Sequence, residues 1–286
     1  DRLRRLPLFA SVTVDGLFRI VGAGNQVRHE RGKVLSQEGS LPSHVHLLLD
    51  GCVSCRTSTG DVRELEAPAA LGLPEMLEGK PFVETVRTAS PVACLTLSSE
   101  ECRSVLADDT ELVQGLFRML CGAAAADLEK VVIRGNRGRE RTIIPGQGLK
   151  PIEKALILKS IPVFSGVSPE EMHCLVGIAE EVDFETGSVL FGESDEPAIH
   201  ALAAGEISLE SFSGAPALVA EPNDVVGVSH TLAGLSLGLN ARVVRDGRAL
   251  RIRREDLFDL ASLRPELLQQ LFSAVLGART TASASV

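Results

Sequence analysis

Leu158-Lys159-Ser160-Ile161-Pro162-Val163-Phe164 repeats, 155 residues further on, the pattern Leu3-Arg4-Arg5-Leu6-Pro7-Leu8-Phe9. The offset of 155 holds without a gap through Gly32/Gly187, Val34/Val189, Leu35/Leu190 and Glu38/Glu193. One deletion takes it to 154 at His46/His200, Leu48/Leu202, Gly51/Gly205 and Ser54/Ser208. It returns to 155 at Gly72/Gly227, Leu95/Leu250 and Glu100/Glu255. Solenoid repeats run to about 20–50 residues, so this period reads as a duplicated domain. Two domains are also what a chain of 286 residues leads one to expect.

Each copy has one layout. A short helix comes first; in the second copy Ser168 is its N-cap, Pro169 its first residue, and Glu170 and Glu171 fill the first turn. Short alternating strands follow, punctuated by Gly32, Gly39, Gly51 and Gly60 in one copy and by Gly187, Gly205 and Gly214 in the other. Helices close each copy: Ser99-Glu100-Glu101 and 109–130 in the first, 255–276 in the second. The apolar run 111–133 reads as one long helix, with the small-residue face Ala123–Ala126 suited either to close packing against a partner or to ordinary core. The fold class is α+β, a β-barrel flanked by N- and C-terminal helices, present twice. The expected boundaries are 1–133 for domain 1, a linker at 134–150, 151–277 for domain 2 and a tail at 278–286.

The linker carries five cations and one acid, a net +4 against −9 for the whole chain. Glycine and like charge disfavour packing there. The acidic balance repels phosphate backbones, and ten Phe with no Trp or Tyr leave few surfaces for base stacking, so nucleic acid is not an expected partner. Six cysteines without an even framework fit reduced thiols and a cytoplasmic setting. No stretch is apolar enough for a membrane span; the best, 225–241, holds His230 and Asn240. A chain that opens at Asp1 with residues already patterned as structure is expected to be a piece of a longer protein or a processed one.

The order L-x-x-I-P-V-F-S-G-V-S-P-E-E, G-S-V-L-F-G-E-S, A-A-G-E-I and N-D-V-V-G in the second copy resembles the cyclic-nucleotide-binding domain. The first copy shows L-P-L-F, R-G-K-V-L-S-Q-E-G, L-D-G-C-V, A-L-G-L and G-K-P-F-V-E-T-V in the same order. The resemblance implies an eight-stranded jelly roll with helices at both ends. It also implies a phosphate-binding cassette of the form F-G-E-L-A-L followed by P-R-A-A-T-V. In such a cassette helix N–H groups and an Arg hold the cyclic phosphate, and a Glu accepts the ribose hydroxyl.

Both cassettes depart from that pattern. In the first copy Gly72 is kept, Leu73 stands at the Glu position, Phe82 at the Arg position, and Thr85-Val86 match the end. In the second, Gly227 is kept while Val228 and Leu237 take the two charged positions. Cyclic nucleotide is therefore not an expected ligand. Glu75 and Lys80 could compensate through a shifted loop in the first copy; the alternative is that they are solvated loop residues. From Glu206 to Ala241 the second copy has no Lys or Arg, so its pocket is either collapsed or fit for an uncharged molecule.

Other constellations carry less. Cys52 and Cys55 sit three apart on a strand and face opposite ways, as structural thiols do. His44 and His46 share a strand face with no third ligand in view. Gly234–Gly238 fits G-x-S-x-G, yet no His follows His230 to complete a triad in the order Ser, acid, His. The chain is thus read as non-enzymatic, without cofactor or metal: a regulatory or scaffolding module acting through a protein partner or its parent chain. The alternatives are a sensor for a non-standard or uncharged ligand, or the cytosolic regulatory end of a membrane transporter or channel. The transcription-factor class is set aside because only Gly277–Val286 follows the last expected helix. The kinase regulatory subunit is not favoured because no basic pseudosubstrate precedes the first copy.

Overall fold

The computed structural model describes residues 3, 6, 9, 12–125, 131–135, 147–192, 194–210 and 218–283, with backbone alone at 123–125 and 277–283. Two compact units divide the chain, Asp1–Met119 with Leu276–Val286, and Leu120–Val275.

The first unit opens with α1 (Val14–Ala23), whose N-cap Thr13 accepts from the Gly16 amide at 3.3 Å. Eight strands follow: β1 (Asn25–His29), β2 (Val34–Ser36), β3 (His44–Asp50), β4 (Cys52–Arg56), β5 (Val62–Glu66), β6 (Ala69–Leu71), β7 (Thr85–Thr88) and β8 (Val92–Ser98). They form two antiparallel four-stranded sheets, β1-β8-β3-β6 and β2-β7-β4-β5. The chain passes between sheets at Gly51, with φ of +91°, where a side chain would meet the Pro91 carbonyl at 2.4 Å. Leu48, Val53, Cys55, Leu71, Val86 and Cys94 pack the interior. Between β6 and β7 lies the six-residue α2 (Leu73–Glu78). Helix α3 (Ser99–Asp108) is closed by a capping box in which Ser98 and Glu101 satisfy each other's backbone amides, and α4 (Thr110–Ala125) follows.

The second unit repeats this pairing. β9 (Val132–Ile133) and α5 (Pro151–Lys159) precede α6 (Pro169–Ile178), whose N-cap is Ser168 with Pro169 leading, as the sequence requires. The strands are β10 (Glu180–Phe184), β11 (Val189–Phe191), β12 (Ala198–Glu210), β13 (Leu218–Ala220), β14 (Val225–Val226) and β15 (Asn240–Arg253). β15 pairs with β10, β11 and β12 as β7 and β8 pair with β1 to β4. β12 pairs with β13 and β14 as β4 pairs with β5 and β3 with β6. β12 and β15 run unbroken where the first unit's strands are interrupted; they bend at register shifts around Gly205, φ +89°. The six-residue α7 (Val228–Ala233) lies between β14 and β15. Helix α8 (Arg254–Leu263) and the part of α9 (Pro265–Ser283) up to Val275 close the unit. The expected helix over 255–276 is thus two helices, parted at Pro265.

Two further expectations change. The run 111–133 is not one helix: α4 stops at Ala125 at the latest described residue, and Val132-Ile133 are extended. The consecutive β-branched residues Val131-Val132-Ile133 favour a strand once an edge is offered, and β14 offers it, pairing Val225 with Ile133 and Val226 with Val132. Val132 and Ile133, drawn with the first domain, therefore pair into the sheet of the second unit. The linker's centre, 136–146, and the tail beyond 283 lie outside the described residues, as does Ala126; the side chains of Ala123, Ala124 and Ala125 do too.

Candidate functional site

In both units the segment after the third long pairing makes the same local shape. Gly72 (φ +81°) and Gly227 (φ +87°) are the left-handed N-caps of α2 and α7, and Gly79 and Gly234, both at φ +67°, end them. Both helices are a turn and a half. In each, an imidazole on the neighbouring strand stands opposite the residue before the cap: His46 faces Leu71, and His200 faces Val226.

The first cassette is closed by its own side chains. Phe82 is 8% exposed. Its amide donates to the Ser40 carbonyl at 2.9 Å and its carbonyl accepts from Gly39 at 2.8 Å. A Cβ on Gly72 would lie 3.2 Å from its ring. Where the resemblance calls for an Arg, an aromatic ring therefore covers the glycine. Leu73 turns away from the barrel interior into an apolar cavity of about 30 Å³ shared with Ile20 of α1, Cys102 of α3 and Leu112 of α4. Neither compensating residue takes over. Lys80 is exposed and ion-paired with Glu78. Glu75 is half-buried, and burial, with Glu84 and Glu78 adding to it, holds its carboxyl above the usual range. Thr85 points outward, its hydroxyl accepting from the amide of Glu38 at 3.1 Å.

One pair escaped the sequence reading. Arg63 stands opposite Cys55 in the β4–β5 register and so shares the inward face. Its Nε donates to Glu84 Oε2 at 3.2 Å and its Nη2 donates to Oε1. Glu84 lies two residues beyond the Arg position. The only signal was the alternation of β4 and β5; the 21-residue gap hides the pairing. Burial pushes the Cys55 thiol up to about 11, and the Glu84 carboxylate adds to it.

The second cassette is closed by a strand. Val131 and Val132 are 1% and 8% exposed and pack with Val226, Leu237 and Leu239 in the barrel. The Gly227 amide, the first free donor of α7, is taken by the Val131 carbonyl at 3.1 Å. Leu237 lies 3.5 Å from a Cβ built on Gly227, and Val228 is buried. Asp224, itself buried, latches the strand: its carboxylate accepts from Arg134 Nη1 at 2.7 Å and from the Gly135 amide at 2.9 Å. At the far end of α7, the Arg254 guanidinium lies within 3.0 Å of a Cβ built on Gly234 and stacks 4.7 Å from the Phe258 ring.

The remaining candidates resolve simply. His44 and His46 stack at 6.2 Å between centroids, and His29 of β1 meets His46 edge-on at 6.4 Å. Burial, then His44 and His29, lowers His46 to about 4, and its Nδ1 lies 2.9 Å from the Thr96 hydroxyl. Among the described residues no group of three or more His, Cys, Asp or Glu is arranged to hold a metal ion. Cys52 and Cys55 face opposite sides of β4, and none of the six cysteines, all among the described residues, is in a disulfide. Gly234–Gly238 leads into β15 and not into a helix. No helix of the described residues is long and apolar enough to cross a membrane.

Residues 26–109 match the cyclic nucleotide-binding domain. That segment belongs to the cyclic nucleotide-binding domain family. Over 85 residues the chain is 35% identical to sodium/hydrogen exchanger 7 of Arabidopsis thaliana, a stretch that covers 28% of this chain and 7% of the exchanger. Among solved structures it is similar to the regulatory domain of Toxoplasma gondii PKA with cAMP, at 15% identity and a TM-score of 0.36, covering 100% of this chain and 95% of that one. It is also similar to the regulatory subunit of a cAMP-independent protein kinase A from Trypanosoma brucei, at 17% identity and a TM-score of 0.37, covering 88% and 80%. The α+β fold of residues 26–109, with antiparallel sheets and flanking helices, is the one that family implies.

Proposed function

We propose that this chain is a non-enzymatic regulatory module of two cyclic-nucleotide-binding-like units that no longer bind cyclic nucleotide and act through protein contacts, in the cytoplasm, within a larger protein or assembly. The observation that carries this reading is that each cassette glycine is covered by the chain itself. The Phe82 ring lies on Gly72. The Val131 carbonyl takes the Gly227 amide, with Leu237 alongside. A cyclic phosphate meets an apolar side chain at both charged positions of each cassette, and two missing polar partners cost decades in affinity. Isothermal titration of the chain with millimolar cyclic AMP and cyclic GMP should give no saturable heat. A micromolar dissociation constant for either overturns the reading.

A second reading concerns the parent chain. The exchanger stretch favours the regulatory end of a membrane transporter. The full coding sequence tests it: membrane-spanning segments upstream support it, and their absence from the complete gene excludes it.

A further inference from the structure

The sheet β2-β7-β4-β5 turns its inner face to the core and its outer face to an open cleft of about 730 Å³. The alternation decides what lines it. Val53, Cys55 and Val86 are buried inward, so Ser54 and Arg56 of β4 and Thr85 and Arg87 of β7 point out. Register places Ser54 opposite Arg87 and Arg56 opposite Thr85. The two arginines are therefore diagonal neighbours, about 7–8 Å apart along the backbone grid. Arg31, in the turn before β2, adds a third guanidinium to the wall.

These cations are not consumed by the protein. Among the described residues neither Arg31 nor Arg56 is ion-paired, while Arg87 Nη1 donates to the Gly32 carbonyl at 2.6 Å, which holds that side chain over the cleft. Glu38 and Glu64 also line the wall, leaving it one positive charge in excess on a chain whose net charge is −9. Three guanidinium forks beside a row of hydroxyls form a receptor for a planar or tetrahedral oxyanion. The volume is that of a small-molecule site, and its lining residues are polar or charged apart from Gly32 and Ala89, unlike a protein-docking core.

We propose that this outer cleft binds a small phosphorylated molecule, with Arg56 and Arg87 bridging its phosphate oxygens and Arg31 and Ser54 taking the remaining polar groups. Arg56 and Arg87 point to the face opposite Val53, Cys55 and Val86, and of the cassette positions only Thr85 lines the cleft, so the arginine variants test this site apart from the covered glycines.

The test is isothermal titration of the whole chain with inorganic pyrophosphate at low and at physiological ionic strength. Saturable binding that persists at physiological salt is expected, and Arg56→Ala and Arg87→Ala should each weaken it about tenfold or more. Arg28→Ala, which removes an exposed cation of β1 outside the cleft, should leave it unchanged. Melting curves verify that the variants fold. Should Arg87→Ala lose its fold with the Gly32 contact, Arg56→Ala, whose side chain makes no hydrogen bond or ion pair among the described residues, decides alone. Absence of saturable heat at millimolar pyrophosphate overturns the proposal, as does weakening by Arg28→Ala equal to that by Arg56→Ala, which would mean attraction by bulk charge.

Discussion

Leu237→Arg restores the charged residue that the family pattern places in the second cassette, and the structure says it should do harm. Leu237 is 7% exposed and packed with Val131, Val132, Val226 and Leu239. Its neighbours there are apolar, and the buried carboxylate three residues before Gly227, Asp224, is already committed to Arg134 and the Gly135 amide. A guanidinium without a partner in such a site costs about 3–5 kcal/mol. At about 2–4 °C per kcal/mol for a unit of this size, the melting temperature should fall by about 6–20 °C. Leu237→Ala is the control for packing alone, at about 2–4 kcal/mol. Calorimetry or circular-dichroism melting of both variants, with and without millimolar cyclic AMP, makes the comparison. If Leu237→Arg melts at or above Leu237→Ala, the guanidinium has reached water or a carboxylate. The second pocket would then not be closed by β9, and the reasoning fails.

The other predictions rest on separate observations. Asp224→Ala should release 131–135, seen as lost amide protection at Ile133 to Gly135, with protection in β10 unchanged; equal loss in β10 would mean global unfolding and not a latch. Arg248, 4% exposed, forks onto Asp183 and donates to Glu181 at 3.1 Å and to the Gln147 carbonyl at 2.6 Å. Arg248→Ala should therefore cost about 3 kcal/mol in denaturant titration, and a loss under about 1 kcal/mol would show the network to be solvated. His46 and His200 are both lowered to about 4 from an ordinary 6.5, burial being the main cause. The unfolded chain then binds more protons between those values, so stability is full above pH 6.5 and falls toward pH 4. His46→Asn with His200→Asn should flatten that slope in urea titrations at stepped pH, and an unchanged slope would assign it to other groups. Leu73→Glu, the matching repair in the first unit, puts a carboxylate into the apolar cavity with Ile20 and Cys102. It should lower the melting temperature without yielding nucleotide binding, and a gain of binding would contradict the orientation of Leu73.

How far the sequence reached can be read from particular residues. Ser168 and Pro169 announced α6 because a cap is a local device, fixed by a hydroxyl and an amide three residues apart. The duplication carried the strand order, since Gly51 and Gly205 mark the same bend in both copies and each sits where a side chain would strike a neighbouring strand. The missing charges at Leu73, Phe82, Val228 and Leu237 were also legible, because a cassette is a contiguous motif. What replaced those charges was not. Val131–Ile133 follow a helix in sequence and look like its last turn; only the bare edge of β14 makes a strand the better use of three β-branched residues. Arg63 meets Glu84 through a sheet register that no local pattern encodes.

The two closures differ in kind, and the difference bears on function. In the first unit the cover is a side chain of the cassette itself, Phe82, fixed by backbone bonds to Gly39 and Ser40, so opening it means rebuilding the loop. In the second the cover is a separate segment held by one buried carboxylate, a single two-pair ladder on the β14 edge and two valines. Loss of that one ladder and latch would expose the Gly227 amide and the edge of β14 together, and an exposed strand edge is a surface that other chains pair with. If either unit passes a signal by changing shape, the second is the one whose parts permit it. The Asp224→Ala variant is then also the variant in which partner binding should change, while Phe82→Ala should act on stability alone.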